Sequence, residues 1–169
     1  MITIEKFTEN DFEDLISWIS NKEELMQFAG PQLTFPLTNE QLQEILNNKN
    51  IFPFKVIDSA TNLPIGHAEI FIKDSSFSLA RILIGDKNSR GKGLGKIIVE
   101  KLLDFGFTNL GKHTAELNVF DWNTSAIKCY EKVGFEINLT VKLERKMNGQ
   151  IWTAIHMTID KNKWENKRM

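Results

Sequence analysis

The sequence predicts an α/β domain: one mixed β-sheet with helices on both faces. Three observations carry that reading. Strand-like and helix-like segments follow one another in the order β-α-α-β-β-β-α-β-α-β-β, and a single mixed sheet covered on both sides is the economical packing for it. The run FSLARILIG is apolar enough to lie centrally in a sheet, and a Gly-rich stretch follows it. Two strand-like runs close the chain around Asn148-Gly149, a strong signal for a hairpin with a type I′ turn. With 169 residues and no internal repeat, linker or low-complexity segment, residues 1–169 are expected to form a single domain.

Each element has a local reason. MITIEKF alternates and reads as a first strand. Asn10 or Asp11 can cap a helix whose apolar residues Phe12, Leu15, Ile16 and Ile19 fall at helical spacing. Asp11, Glu13 and Asp14 lie in its first turn, where the helix dipole favours acids. NKEELMQF gives a second short helical piece that stops at Gly30-Pro31. Pro31 and Pro36 make the following segment irregular, since each removes a backbone donor and fixes φ. Thr38 and Gln41, spaced as a capping box, restart a helix in TNEQLQEIL. FPFKVID and IGHAEIFIKD form a hairpin around SATNLP, with FSLARILIG as the next strand. GKIIVEKLLDFGF places Ile97, Ile98, Leu102 and Phe105 on one helical stripe, ending towards Gly106 or Gly111. HTAELNVF is a strand, and NTSAIKCYEKVGF is a short helix between an Asn123 or Thr124 cap and a Gly134 stop. The basic end KNKWENKRM reads as a solvated tail.

Composition narrows the class. Hydrophobic residues at 41% and charged residues at 25% suit a soluble globular chain able to bury a core. A net charge of −1 gives no strongly basic face of the kind nucleic-acid binders carry. Cys129 is the only cysteine, which excludes an intrachain disulfide and fits a reducing compartment. The N-terminal stretch lacks the apolar run and cleavage site of a secretory signal, and no segment is long and apolar enough to span a bilayer. The expectation is a soluble cytoplasmic protein without nucleic-acid or membrane partners.

Residues 90 to 96, RGKGLGK, look built to hold a phosphate. A Walker A loop would require glycine at 90 and Ser or Thr at 97, where the chain has Arg90 and Ile97. A dinucleotide fingerprint begun at Gly91 or Gly93 fails at Lys96 or Ile98, and no early βαβ unit carries it. The physics of a phosphate site remains. Glycines let a backbone approach a ligand and turn N–H groups towards it, and a helix beginning near Gly93 adds unpaired N–H groups and partial positive charge. Arg90, Lys92 and Lys96 bring mobile positive charge to the rim. A pyrophosphate suits this arrangement without Mg²⁺; a plain strand-to-helix connection with solvated basic residues suits the glycines alone equally well.

At this point the chain resembles the GNAT N-acetyltransferase superfamily. Arg90-Gly91-Lys92-Gly93-Leu94-Gly95 matches that family's acetyl-CoA motif, Q/R-x-x-G-x-G/A between a central strand and a helix. Asn123, Ala126, Tyr130, Gly134 and Phe135 supply its second hallmark, N…A…Y…GF, and the element order also agrees. IGDKNSRGKGLG, LLDFGFTNLGKHTAELNVFDWN and the MNGQIW hairpin look most like the branch of ribosomal-protein N-terminal and polyamine acetyltransferases. Many of its members have Trp or Gln where this chain has Arg90.

The resemblance implies a sheet splayed at its centre and acetyl-CoA held between two parallel strands, here around Ile82 to Gly85 and Glu116 to Val119. Backbone at Ile82, Leu83 and Ile84 would pair with the pantetheine arm, one N–H polarising the thioester carbonyl. Residues 90 to 96 would hold the pyrophosphate, and Asn118 and Asn123 would border the cofactor. Asn123 is also a natural helix cap. Tyr130 would serve as general acid to the departing thiolate. Its alternative is a core aromatic between Ile127 and Val133. Some N-terminal acetyltransferases carry a Glu twelve residues before the tyrosine; here Asn118 stands there and cannot be a base. Glu69 and Glu116 are the remaining candidates for it.

His67, His113 and His156 read as structural residues, Cys129 as a small packing residue, and no Cys/His/carboxylate grouping suggests a metal site. Trp18, Phe28, Phe35, Trp122 and Trp152 are candidate linings for an acceptor pocket, with Glu23, Glu24 and Glu40 as candidate acids for a polyamine. The implied activity is acetyl transfer from acetyl-CoA to a primary amine of a small molecule or a peptide amino terminus, by a monomer or homodimer. The alternative is a non-catalytic CoA-binding sensor or scaffold.

Overall fold

The computed structural model describes all 169 residues. Seven strands form one sheet: β1 (Ile2–Lys6), β2 (Ile51–Asp58), β3 (Leu63–Ile72), β4 (Ser76–Ile84), β5 (Thr114–Phe120), β6 (Glu136–Met147) and β7 (Gln150–Asp160). Their spatial order is β1-β2-β3-β4-β5-β7-β6, and only β4 with β5 is a parallel pair. A parallel pair needs a crossover, which α4 (Leu94–Asp104) supplies. Helices α1 (Phe12–Trp18), α2 (Lys22–Ala29) and α3 (Asn39–Asn47) cover one face. Helices α4, α5 (Thr124–Val133) and α6 (Lys161–Arg168) cover the other. The expected α/β architecture is observed.

Strand alternation builds a core on each face. Ala68 and Ile70 of β3, Phe77 and Leu79 of β4, and Ala115, Leu117 and Val119 of β5 join Ile98, Val99 and Leu102 of α4 in the larger one. Phe7, Phe12, Leu15, Leu25, Phe28 and Leu42 form the smaller one among α1, α2 and α3. Strict period two would next send Arg81 into the larger core. A bulge prevents this. Glu69 faces Ala80 and His67 faces Leu83, so Arg81 and Ile82 together oppose Ala68. Arg81 absorbs the extra residue with a left-handed φ of 49°. Beyond it, Ile82 and Ile84 pack on the larger core and Leu83 on the smaller, the exchange of faces that one inserted residue produces.

The bulge coincides with the divergence of β4 from β5. The two strands pair only from Ser76–Thr114 to Ser78–Glu116, although β4 continues to Ile84 and β5 to Phe120. The sheet therefore opens as a wedge towards their C-terminal ends, between the two stretches expected to splay.

Two departures from the sequence reading have clear causes. The expected solvated tail is helix α6. Asp160 caps it by accepting from the Lys163 N–H at 2.8 Å, Trp164 is buried in the larger core, and its indole N–H donates to Asp104 at 3.3 Å. One ring of that size contributes about 2–3 kcal/mol when buried, enough to dock an otherwise charged segment. The helix expected to end towards Gly106 or Gly111 stops at Asp104 and continues as a π-turn, Phe105–Asn109. Gly106 there lies so close to the Phe77 ring that a Cβ would fall 2.1 Å from it. Asn148 and Gly149 adopt φ of 49° and 76°, as the predicted type I′ turn requires. No helix is long and apolar enough to cross a membrane.

Candidate active site

The Gly-rich loop stands at the open end of β4. Gly91 and Gly93 have φ of 73° and 74°, and nothing lies within 4 Å of where a Cβ would project from either. The loop backbone is thus exposed and shaped by residues free to adopt the left-handed region. Gly93 is the cap of α4 and carries no capping side chain, which leaves the first N–H groups of that helix available to an anion. Lys92 and Lys96 supply positive charge, Lys96 lying 3.5 Å from Glu100. These donors and the open backbone suit the pyrophosphate of coenzyme A.

Arg90 departs from expectation. Rather than adding mobile charge to the rim, its Nε donates to the Ile84 carbonyl at 2.9 Å and its guanidinium also reaches the Gly85 carbonyl at 3.4 Å. It fastens the loop to the end of β4. Asp86 reinforces the same turn: Ser89 Oγ donates to it at 2.5 Å, and that bond, with those from the Asn88 and Ser89 backbone and the Lys92 charge, holds its carboxyl below the ordinary value. Trp18 lies against Gly85, where a Cβ would fall 1.9 Å from its ring.

Helix α5 borders this loop from the other side. Asn123 caps it, its Oδ1 accepting from the Ala126 N–H at 3.4 Å. Cys129 Sγ would lie 3.7 Å from a Cβ on Gly95, so α5 touches the first turn of α4. Burial pushes the Cys129 thiol up, consistent with a packing role. Tyr130 is partly buried against the larger core, its ring 6.1 Å from Phe135. The Tyr130 hydroxyl makes no protein hydrogen bond. Burial, with a smaller push from Cys129, raises its pKa well above the ordinary value, and the hydroxyl stays protonated.

The opposite face of β5 and β7 carries a different row. In the register, Glu116 faces Thr158, Asn118 faces His156 and Phe120 faces Ala154. His156 Nδ1 and Asn118 Oδ1 are 2.9 Å apart, and Glu116 is paired with Lys73. Further out, Phe120, Trp122 and Trp152 cluster: Trp122 stacks on Phe120 at 5.9 Å and meets Trp152 edge-on at 5.4 Å. Trp122 is 47% exposed, so the cluster presents a ring to solvent. Asn148 at the hairpin tip donates to Glu23 of α2 at 2.5 Å, closing the far side of this region. Of the five candidate acceptor-pocket aromatics, Trp122 and Trp152 come together, whereas Trp18, Phe28 and Phe35 belong to the smaller core.

Glu69 lies in different surroundings from Glu116. It is fully buried, with one oxygen 2.7 Å from Arg81 and the other 2.9 Å from His67 Nε2. Arg81 also donates to Gln32 at 2.9 Å, tying the loop after α2 to the bulge. Nothing in the sequence pairs these residues, because the bulge alone turns Arg81 to the Glu69 face.

The family model for the acetyltransferase (GNAT) domain matches residues 2–136. An aminoglycoside N(6')-acetyltransferase type 1 of Klebsiella pneumoniae is 25% identical over 156 residues, spanning 83% of this chain and 76% of that protein. A spermidine N(1)-acetyltransferase of Vibrio cholerae is 27% identical over 153 residues, spanning 88% and 87%. The crystal structure of the Vibrio cholerae spermidine N-acetyltransferase with CoA and spermine superposes with a TM-score of 0.82 at 24% identity, over 98% of both chains. The family match runs from β1 to the start of β6 and takes in both strands of the wedge, the loop and Tyr130; the chain belongs to the GNAT acetyltransferases, which move an acetyl group from acetyl-CoA to an amine.

Proposed function

We propose that this N-acetyltransferase acts on a small alkylamine carrying a second cationic centre, and that the acceptor lies along the β5–β7 face with its distal ammonium on the Trp122–Trp152 cluster. The observation that carries the reading is that cluster: a half-exposed indole two residues beyond β5, braced by a second indole and by Phe120. An aromatic face attracts an alkylammonium by its quadrupole, with about 0.5–2 kcal/mol at stake depending on desolvation. The relatives named for spermidine and aminoglycosides support an acceptor of this chemistry.

In this reading residues 90–96 hold the pyrophosphate, and the unpaired edge of β4 at Ile82, Leu83 and Ile84 receives the pantetheine arm as an added strand. A backbone N–H there is a fixed dipole aimed at the thioester oxygen, where charge develops during attack. The amine enters from the β5–β7 face and attacks the thioester carbon directly. Tyr130, on the α5 side and held protonated, donates to the departing sulfur. Glu69 is already engaged at both oxygens by Arg81 and His67 and serves to hold the bulge.

Trp122→Ala tests the acceptor placement. KM for a diamine should rise about tenfold, the scale of a lost cation–π contact, while KM for acetyl-CoA stays unchanged. Equal KM values for the diamine in both proteins would contradict it.

A further inference from the structure

We propose that His156 is the general base that takes the proton from the acceptor ammonium, and that Asn118 positions it. The inference deepens the acceptor reading and rests on entry along the β5–β7 face. Asn118 lies on β5 two residues past Glu116, the last β5 residue paired with β4, and so inside the wedge. Its cross-strand neighbour is His156, on the same face. An amide oxygen only accepts, so the 2.9 Å contact between Asn118 Oδ1 and His156 Nδ1 is a hydrogen bond in the tautomer that carries the proton on Nδ1. The lone pair is then on Nε2. That nitrogen is 3.7 Å from Glu116 Oε2, too far for a hydrogen bond, and Glu116 is engaged by Lys73. Nε2 is left without a hydrogen-bond partner in the protein, on the sheet face that carries Asn118 and Glu116.

The surrounding charges agree with a neutral imidazole. From β5 it meets Glu116 and the uncharged Asn118, from the β3–β4 turn Lys73, and from β6 its partner is the uncharged Asn138. Glu136, the nearest acid on β6, is paired with Lys163. Partial burial, with the Lys73 charge, moves the His156 pKa below its ordinary 6.5. The group is therefore unprotonated at neutral pH and able to accept a proton, across one water, from the amine.

The balance closes. His156 Nε2 takes one proton from the ammonium and passes it to solvent. The free amine forms the N–C bond, the C–S bond breaks, and Tyr130 donates to sulfur. The second proton of the nitrogen restores the tyrosine. One amide, one thiol and one released proton result.

Two measurements test the base. The chain has three histidines, so ¹⁵N-imidazole NMR with His156→Gln as the assignment control identifies each ring. Nε2 of His156 should be unprotonated, with a titration midpoint below 6.5; an Nε2–H tautomer at neutral pH would overturn the proposal. In kinetics, kcat/KM of wild type should fall as pH drops through that midpoint. His156→Gln should lose about 100-fold at pH 7 and lose this acidic limb, with CoA affinity unchanged. Imidazole in the buffer should restore turnover to His156→Ala. Wild-type kcat/KM and an intact acidic limb in His156→Gln would overturn it, as would a 100-fold loss confined to Glu116→Gln. Failure of the acceptor reading looks different: wild type would prefer peptide amines and ignore Trp122→Ala, while His156→Gln would still be slow on those peptides.

Discussion

Tyr130→Phe is expected to lower kcat about 100-fold or more at neutral pH while leaving the Kd for acetyl-CoA within twofold. The phenyl ring keeps the contacts with Phe135 and the larger core, so the only loss is the hydroxyl. That hydroxyl has no hydrogen bond to protein, which removes a structural explanation for any effect. Its raised pKa keeps the proton in place across the working range, so no alkaline limb should belong to Tyr130 below the ordinary tyrosine range. Stopped-flow thiol release and calorimetric CoA binding on the same samples separate chemistry from affinity. A wild-type kcat in Tyr130→Phe would remove the tyrosine from the reaction.

Arg81→Met is expected to destabilise the fold by about 3–5 kcal/mol, because it takes the guanidinium from the fully buried Glu69 carboxylate and leaves it only His67. Urea unfolding measures it. The companion variant Arg81→Met with Glu69→Gln should recover part of the loss, since a neutral amide replaces the buried carboxylate and still reaches His67 Nε2. A single-variant loss below about 1 kcal/mol would mean that the ion pair does not hold the bulge.

The sequence made some of this legible because the relevant signals are local. Strand and helix periodicities, the Thr38 and Asn123 caps and the Asn148-Gly149 turn depend on a few neighbouring residues, and each is found in the structure, except that Ile97 of the α4 stripe is exposed. The loop at 90–96 was legible for the same reason: glycine at a positive φ leaves a mark in sequence. Tyr130 stood out only through the family pattern, since a tyrosine on an amphipathic helix is otherwise an ordinary core residue.

What escaped is non-local. The Asn118–His156 contact joins residues 38 apart through the antiparallel register of β5 and β7. Arg81 at φ 49° is a residue type with no preference for that region, so the bulge leaves no trace in the sequence. Glu69 reads as a free strand carboxylate until the bulge brings Arg81 to it. Arg90 reads as rim charge until β4 ends where its carbonyls can accept from it. Trp164 sits among charges, and only tertiary packing selects burial for it.

The central claim is that the acetyl group goes to a small alkylamine with a second cationic centre. The direct measurement is acetyl-CoA thiol release against a matched panel of diamines, monoamines and short peptides with free amino termini, with products identified by mass. Diamines should give a kcat/KM at least tenfold above monoamines of equal length, in line with one cation–π contact on Trp122, and above every peptide. Turnover of peptides with none of the diamines would contradict it.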